Sequence, residues 1–155
     1  MGAEVTGKKA GEAEQEFWVG QRASFSKTVT ETDIVCFAGI TGDFNPVHVD
    51  AEYAKATRFK RRIAHGLLTG SLISRVLGTS LPGPGAIYLS QQLRFLAPVF
   101  IGDTITVVVE VAQVRPDKPI LTLRTDCYNQ RREKVVEGQA IVLAEGKPPE
   151  LLGDL

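Results

Sequence analysis

Gly66-Leu-Leu-Thr-Gly-Ser-Leu-Ile-Ser-Arg-Val-Leu77 is the longest strongly apolar stretch with helical spacing in this chain. Leu67, Leu68, Leu72, Ile73, Val76 and Leu77 cover much of a helix circumference, which reads as a buried helix rather than a surface one. Gly78 and the loop Leu81-Pro-Gly-Pro-Gly85 stop it, because glycine accepts the turn that ends a helix and proline cannot continue one. From Ala86 onward the pattern has period two. Ile87 and Leu89 alternate with Tyr88 and Ser90, and Ile105, Val107, Val109 and Val111 alternate with Thr106 and Glu110. Leu121 and Leu123 alternate with Thr122 and Arg124, and a last apolar run spans Ala140 to Leu143. Arg115-Pro-Asp-Lys-Pro119 reads as a turn between two of these strands. Strands of an antiparallel meander must bury one face, and the helix from Gly66 is the segment apolar enough to cover it. The expected fold is α+β, a curved antiparallel sheet wrapped around a single long central helix.

Upstream, Thr30 is an expected N-cap with Asp33 at N3, a variant of the capping box. Ile34, Phe37, Ala38 and Ile40 follow at roughly helical spacing, which predicts a helix over Glu31 to Thr41. The polar loop Gly42-Asp-Phe-Asn-Pro46 comes next, then a short amphipathic piece from Asp50 to Ala56. Residues 1–16 hold Val5 as their one large apolar residue after Met1, and residues 146–155 are Pro-rich. Both ends are expected to be flexible tails flanking one folded domain over residues 17–145.

The 155 residues suit one domain, and 43% hydrophobic with 23% charged residues is enough to build a core. Eighteen basic residues against eighteen acidic ones leave a formal net charge of zero, so no global positive field draws in nucleic acid or an anionic membrane. Cys36 and Cys127 lie far apart and outside any Cys-x-x-Cys pair, which argues against a disulfide framework or a structural zinc site and leaves a single bridge open. No stretch approaches a membrane span, and the first residues lack the apolar core of a signal peptide. A soluble, cytoplasmic protein is the expectation.

The chemistry-bearing segment is Phe37-Ala-Gly-Ile-Thr-Gly-Asp-Phe-Asn-Pro-Val-His-Val-Asp50. Asp43, Asn45 and His48 fall within six positions of it. One reading is structural: Asp43 and Asn45 make turn hydrogen bonds before Pro46, and His48 is a satisfied, partly buried imidazole. The other is an acid/base pair that jointly holds a water molecule. A spacing of five does not place Asp43 and His48 on one helix face, so only a folded-back loop brings both onto one water.

The run Thr41-Gly-Asp-Phe-Asn-Pro-Val-His-Val-Asp50, followed by Ala64-His-Gly66, resembles the hydratase motif of the MaoC-like (R)-specific enoyl-CoA hydratases. Arg94-Phe-Leu-Ala-Pro-Val-Phe-Ile-Gly-Asp103 is similar to a further segment of that family, and the likeness extends from about Val19 to Leu143. The Pro-Gly-Pro-Gly loop and Tyr88-Leu-Ser-Gln91 also resemble the branch with mitochondrial 3-hydroxyacyl-thioester dehydratases. The resemblance implies a hot-dog fold, at least a homodimer, and reversible addition of water to a trans-2-enoyl thioester to give an (R)-3-hydroxyacyl thioester. It implies an acyl-CoA or acyl carrier protein substrate, with no metal or other cofactor. Asp43 and His48 fall on the family's catalytic dyad, Asn45 on a residue that braces the loop, and the Gly66 N–H on the oxyanion donor.

Further residues carry two readings each. His65 either contacts substrate beside the oxyanion site or packs at the helix entry. Ser71 and Ser74 either line an acyl tunnel or pack within the helix, their hydroxyls bonding back to the preceding turn. The basic run Arg58-Phe-Lys-Arg-Arg62 is either a solvated face or, through Arg62, a contact for a CoA phosphate. Arg94, Pro98, Gly102 and Asp103 suit a strand–turn–strand role, and Trp18 and Tyr53 suit packing. Two competing functions remain, since fold does not determine function: a hot-dog acyl-CoA thioesterase and a non-catalytic acyl-thioester-binding subunit.

Overall fold

Valine and isoleucine at every second position decide how the sheet sits. The structure, a computed structural model, describes residues 17–144. The expected tails lie outside the described residues. In chain order the elements are β1 (Arg22–Thr28), α1 (Glu31–Thr41), α2 (Pro46–Val49), α3 (Ala51–Ala56), α4 (Gly66–Thr79), β2 (Ile87–Phe95), β3 (Thr104–Val114), β4 (Ile120–Tyr128) and β5 (Lys134–Leu143). On β3, Ile105, Val107, Val109 and Val111 are fully buried while the residues between them are half-exposed, as period two requires. Leu121, Leu123 and Cys127 of β4 and Val135, Val136, Ala140 and Val142 of β5 extend the same buried layer. Leu68, Ile73, Val76 and Leu77 of α4 fill it from the other side. One antiparallel sheet thus curves around one long helix, which is the hot-dog arrangement.

The sheet order is β1-β3-β4-β5-β2, which corrects the expectation of a simple meander. Only β3, β4 and β5 are consecutive neighbours; β2 pairs with β5 and β1 with β3. β1 was not anticipated, although Ala23 and Phe25 alternate with Ser24 and Ser26 in it and face the core. The Thr30 capping box forms: the Asp33 N–H donates to Thr30 Oγ1 and the Thr30 N–H donates to Asp33 Oδ2. α4 runs two residues past Leu77, so Gly78 lies inside it and Ser80 caps it.

Some apolar residues face outward. Leu67 is 61% exposed and Ile40 83%, so α4 buries one face and not its full circumference, and the apolar stripe of α1 ends at Ala38. Trp18 and Tyr53 are exposed and not packed in this chain. Cys36 and Cys127 are both free thiols. Cys127 is sealed in the core, and burial pushes its thiol up to about 12. Asp103 serves the turn before β3, with its carboxylate accepting from the Phe100 N–H and the Gln130 amide. Arg94 is an exposed partner of Glu137. No helix among the described residues is long and apolar enough to cross a membrane.

Candidate active site

The bend between α1 and α3 is written in short polar side chains. Gly42 ends α1 in the left-handed region (φ 75°), where its missing Cβ removes the steric penalty. Thr41 donates its hydroxyl to the Phe37 carbonyl and accepts the Asp43 N–H. Asp43 Oδ1 accepts the Asn45 N–H at 3.1 Å, and Asn45 Oδ1 accepts the Val47 N–H at 3.2 Å, capping α2. Pro46 takes the first turn of α2, where its absent N–H is no loss. Asp50 then caps α3 by accepting from both Glu52 and Tyr53. The four-residue α2 was not anticipated. Asn45-Pro46 signals a turn as readily as a helix start.

These caps turn His48 inward. The ring is buried, and its Nδ1–H donates to the Ile63 carbonyl at 2.8 Å, while the Ile63 N–H donates back to Val47. A carbonyl can only accept, so in the neutral ring Nε2 is left with its lone pair. Burial holds the His48 imidazole below its ordinary pKa of 6.5; the Ile63 bond opposes this, His65 reinforces it, and Asp43 opposes it. His48 therefore stands as a neutral base at neutral pH.

His65, fully buried, precedes α4 and donates Nε2–H to the Asp43 backbone carbonyl at 3.0 Å. Its ring stacks on His48 with centroids 3.9 Å apart and an interplanar angle of 30°, and Phe37 packs on it at 4.9 Å. His65 thus ties the bend to the start of α4. A carboxylate oxygen of Asp43 and one ring nitrogen each of His48 and His65 lie within 4.8 Å of one another. A carboxylate oxygen and imidazole nitrogens at this spacing can hold a water molecule or a cation.

Gly66 opens α4, and no side chain caps that end, so the first amides of a 14-residue helix point at the cleft with the positive end of its dipole. A Cβ at Gly66 would sit 2.9 Å from the Phe95 ring, so that ring would have to shift to admit one. Asp43, His48, His65 and Gly66 line one cleft of about 580 Å³ with Phe37, Phe59 and the Phe95–Val99 segment.

The structure brings Asp43, His48, His65 and Gly66 together in the cleft, ties Asn45 to Asp43 through its backbone N–H without its lining the cleft, and leaves two anticipated residues elsewhere. Ser74 is exposed on the outer face of α4, away from the cleft. Arg62 does not line it either, because its guanidinium is paired with Glu31. Ser71 bonds back to the Leu68 carbonyl, a helix-packing role. Arg58, which the sequence grouped with Arg62, does line the cleft. Thr69 was missed. Its hydroxyl and His65 Nδ1 are buried polar atoms without a hydrogen-bond partner among the described residues, and both residues line the cleft. The signal was a lone hydroxyl on the apolar face of α4, one turn after His65.

An antiparallel sheet around a long helix, with a carboxylate–imidazole bend facing that helix's first amide, defines a class of thioester-processing hot-dog proteins. The MaoC like domain matches residues 14–126, and the chain belongs to that family. It is 52% identical over 128 residues to an (R)-specific enoyl-CoA hydratase of Rhodospirillum rubrum, covering 83% of this chain and 88% of that one. The mitochondrial 3-hydroxyacyl-[acyl-carrier-protein] dehydratase of Arabidopsis thaliana is 34% identical, with 81% and 76% covered. The solved (R)-hydratase of Aeromonas caviae superposes with a TM-score of 0.82 at 46% identity, covering 84% of this chain and 99% of that one.

Proposed function

We propose that this protein is an (R)-specific enoyl-CoA hydratase, a hydro-lyase that adds water reversibly across the double bond of a trans-2-enoyl-CoA. The observation that carries this reading is that a carboxylate oxygen of Asp43 and a ring nitrogen of His48 lie within 4.8 Å of each other in the cleft that Gly66 also lines. The hydratases among its relatives support it.

Asp43 Oδ1 is engaged by the Asn45 N–H, which leaves the other carboxylate oxygen to accept one hydrogen bond from water. His48 Nε2 accepts the second hydrogen bond. Held this way, the water aims its own lone pair at C3 of the enoyl group. As the C3–O bond forms, the π electrons move toward C2 and the thioester carbonyl, and the negative charge grows on the carbonyl oxygen. The Gly66 N–H, strengthened by the α4 dipole, receives that oxygen. His48 takes the proton the water gives up and, as the imidazolium, returns it to C2 as the enolate collapses. One water is consumed, one C–O and one C–H bond form, and the thioester stays intact.

The test is loss of the conjugated enoyl absorbance of crotonyl-CoA, with product stereochemistry read by chiral chromatography. Release of free thiol in place of that loss would mean a thioesterase, and tight binding with neither change would mean a non-catalytic binder.

The same reading includes a homodimer and a cytoplasmic location. An edge strand with apolar surface supports the dimer: β2 ends the sheet, and Ile87, Tyr88, Phe95 and Leu96 are exposed on or beside it. Sedimentation at micromolar concentration decides between one copy and two.

A further inference from the structure

The chain holds two histidines, and both line the cleft with their rings stacked. Stacking fixes the plane of a ring and is blind to its edge. A half-turn of the His65 ring about χ2 would keep its contacts with His48 and Phe37 while exchanging each nitrogen for a carbon. Polar partners at the edge decide which way the ring stands. Nε2–H has one, the Asp43 carbonyl at 3.0 Å. In the neutral ring that leaves Nδ1 as an acceptor. His48 stands the other way: its Nδ1–H goes to the Ile63 carbonyl, and Nε2 keeps the lone pair. The stacked pair thus holds opposite tautomers, each pinned by a backbone carbonyl.

The Nδ1 edge of His65 finds its counterpart on α4. His65 is 2% exposed, and a buried acceptor without a donor is costly. Thr69 is 1% exposed, and its hydroxyl is the other buried side-chain atom among the described residues without a partner. The Thr69 N–H donates to the His65 carbonyl at 3.4 Å, so the two side chains leave the same turn, and both line the cleft. A threonine hydroxyl in a helix can bond back to the carbonyl four residues earlier, as Thr41 and Thr79 do. Thr69 makes no such bond, which leaves its O–H to the His65 ring. No direct bond joins the two atoms, and one water molecule with both as partners spans them.

We propose that Thr69 is a positioning residue: its hydroxyl donates through one water molecule to His65 Nδ1 and fixes the ring orientation in which His65 Nε2–H holds the Asp43 carbonyl. Its effect on rate rests on the hydratase reading, whereas its effect on the His65 tautomer rests on the ring geometry alone. Without the hydroxyl, the ring can turn over or move its proton to Nδ1, and the Asp43 carbonyl loses its donor. The bend that carries the Asp43 carboxylate is then no longer tied to the start of α4. A threonine that merely fills space would behave oppositely, because valine has the same shape and no polar atom to bury.

The test compares the full chain with Thr69→Val and Thr69→Ser. Thr69→Val should lower kcat for crotonyl-CoA about tenfold, with KM little changed, and should lower Tm because His65 Nδ1 is orphaned. Thr69→Ser, which keeps the hydroxyl, should restore most of kcat. Long-range proton–nitrogen NMR spectra of the imidazoles, with His48→Gln assigning the two rings, give a readout independent of turnover. In the parent, His65 should show a protonated Nε2 and an unprotonated Nδ1 moved upfield by a hydrogen bond on its lone pair. In Thr69→Val that Nδ1 signal should move downfield or exchange between tautomers. Parental kcat with a raised Tm in Thr69→Val, or a larger loss of kcat in Thr69→Ser than in Thr69→Val, would overturn the assignment. Should Thr69→Val fail to fold, the parent spectrum decides: a protonated His65 Nδ1, or one at the shift of a lone pair without a donor, overturns it. A parent that hydrates nothing yet shows the expected His65 spectrum, altered by Thr69→Val, would sink the hydratase reading and support the Thr69–His65 link.

Discussion

The sheet and the segment from Thr41 to His65 are held together by different physics. Within β3, β4 and β5 the stability lies in side chains with no exposure at all, such as Val107, Leu123 and Val135, which meet several apolar neighbours each. Between Thr41 and His65 hardly any large apolar residue is fully buried, and local hydrogen bonds from nearby amides to the side-chain oxygens of Thr41, Asp43, Asn45 and Asp50 hold the chain. The first arrangement is collective, each buried side chain sharing its contacts with several neighbours. The second is serial, each cap orienting the next residue. Chemistry sits on the second because reactive groups must face water, and a sheet interior offers none.

That contrast breaks most sharply if a dyad variant keeps its activity. Asp43→Asn can still accept the Asn45 N–H, and His48→Gln keeps a planar polar group. Each should lower kcat for crotonyl-CoA by about 10²–10⁴ and shift Tm little. The reverse holds in the core: Ile73→Ala opens a cavity at a fully buried site and should destabilise by about 2–5 kcal/mol in urea melts, with kcat per folded molecule retained. Gly66→Ala belongs to both regions, since its Cβ meets Phe95, and displacement of the amide should reduce kcat by about 10² in the same assay. Asn45→Ala removes a helix cap, and a loss of about 1 kcal/mol in thermal melts accompanied by a fall in kcat would sharpen the serial picture. An unchanged kcat would show that Asp43 holds its place without Asn45.

The smallest effect is in pH. His48 has its pKa depressed in the folded protein, so the neutral base is the favoured form. Its share of stability is complete above about pH 6.5, the unfolded value, and is lost as pH falls from there through the lower folded value. The acid limb of kcat/KM should accordingly lie below pH 6.5 in the parent. An acid limb above that pH would mean that the limb does not report a depressed His48, and activity that falls as pH rises through this region would mean that His48 acts in its protonated form.

Patterns of period two and of helical spacing foretold β3, β4 and α4, because core burial repeats at the same interval as the side chains that make it. The Thr30 capping box and the Asp43–His48 motif were equally legible, being local in the chain. Strand order was not: β1 pairs with β3 across some eighty residues, and nothing in Ala23 or Phe25 names that partner. Nor could spacing say that Leu67 and Ile40 would face outward, or that Glu31 would claim Arg62. Local propensity is written in neighbouring residues, whereas exposure and ion pairing depend on which distant surfaces arrive beside them once the chain has closed.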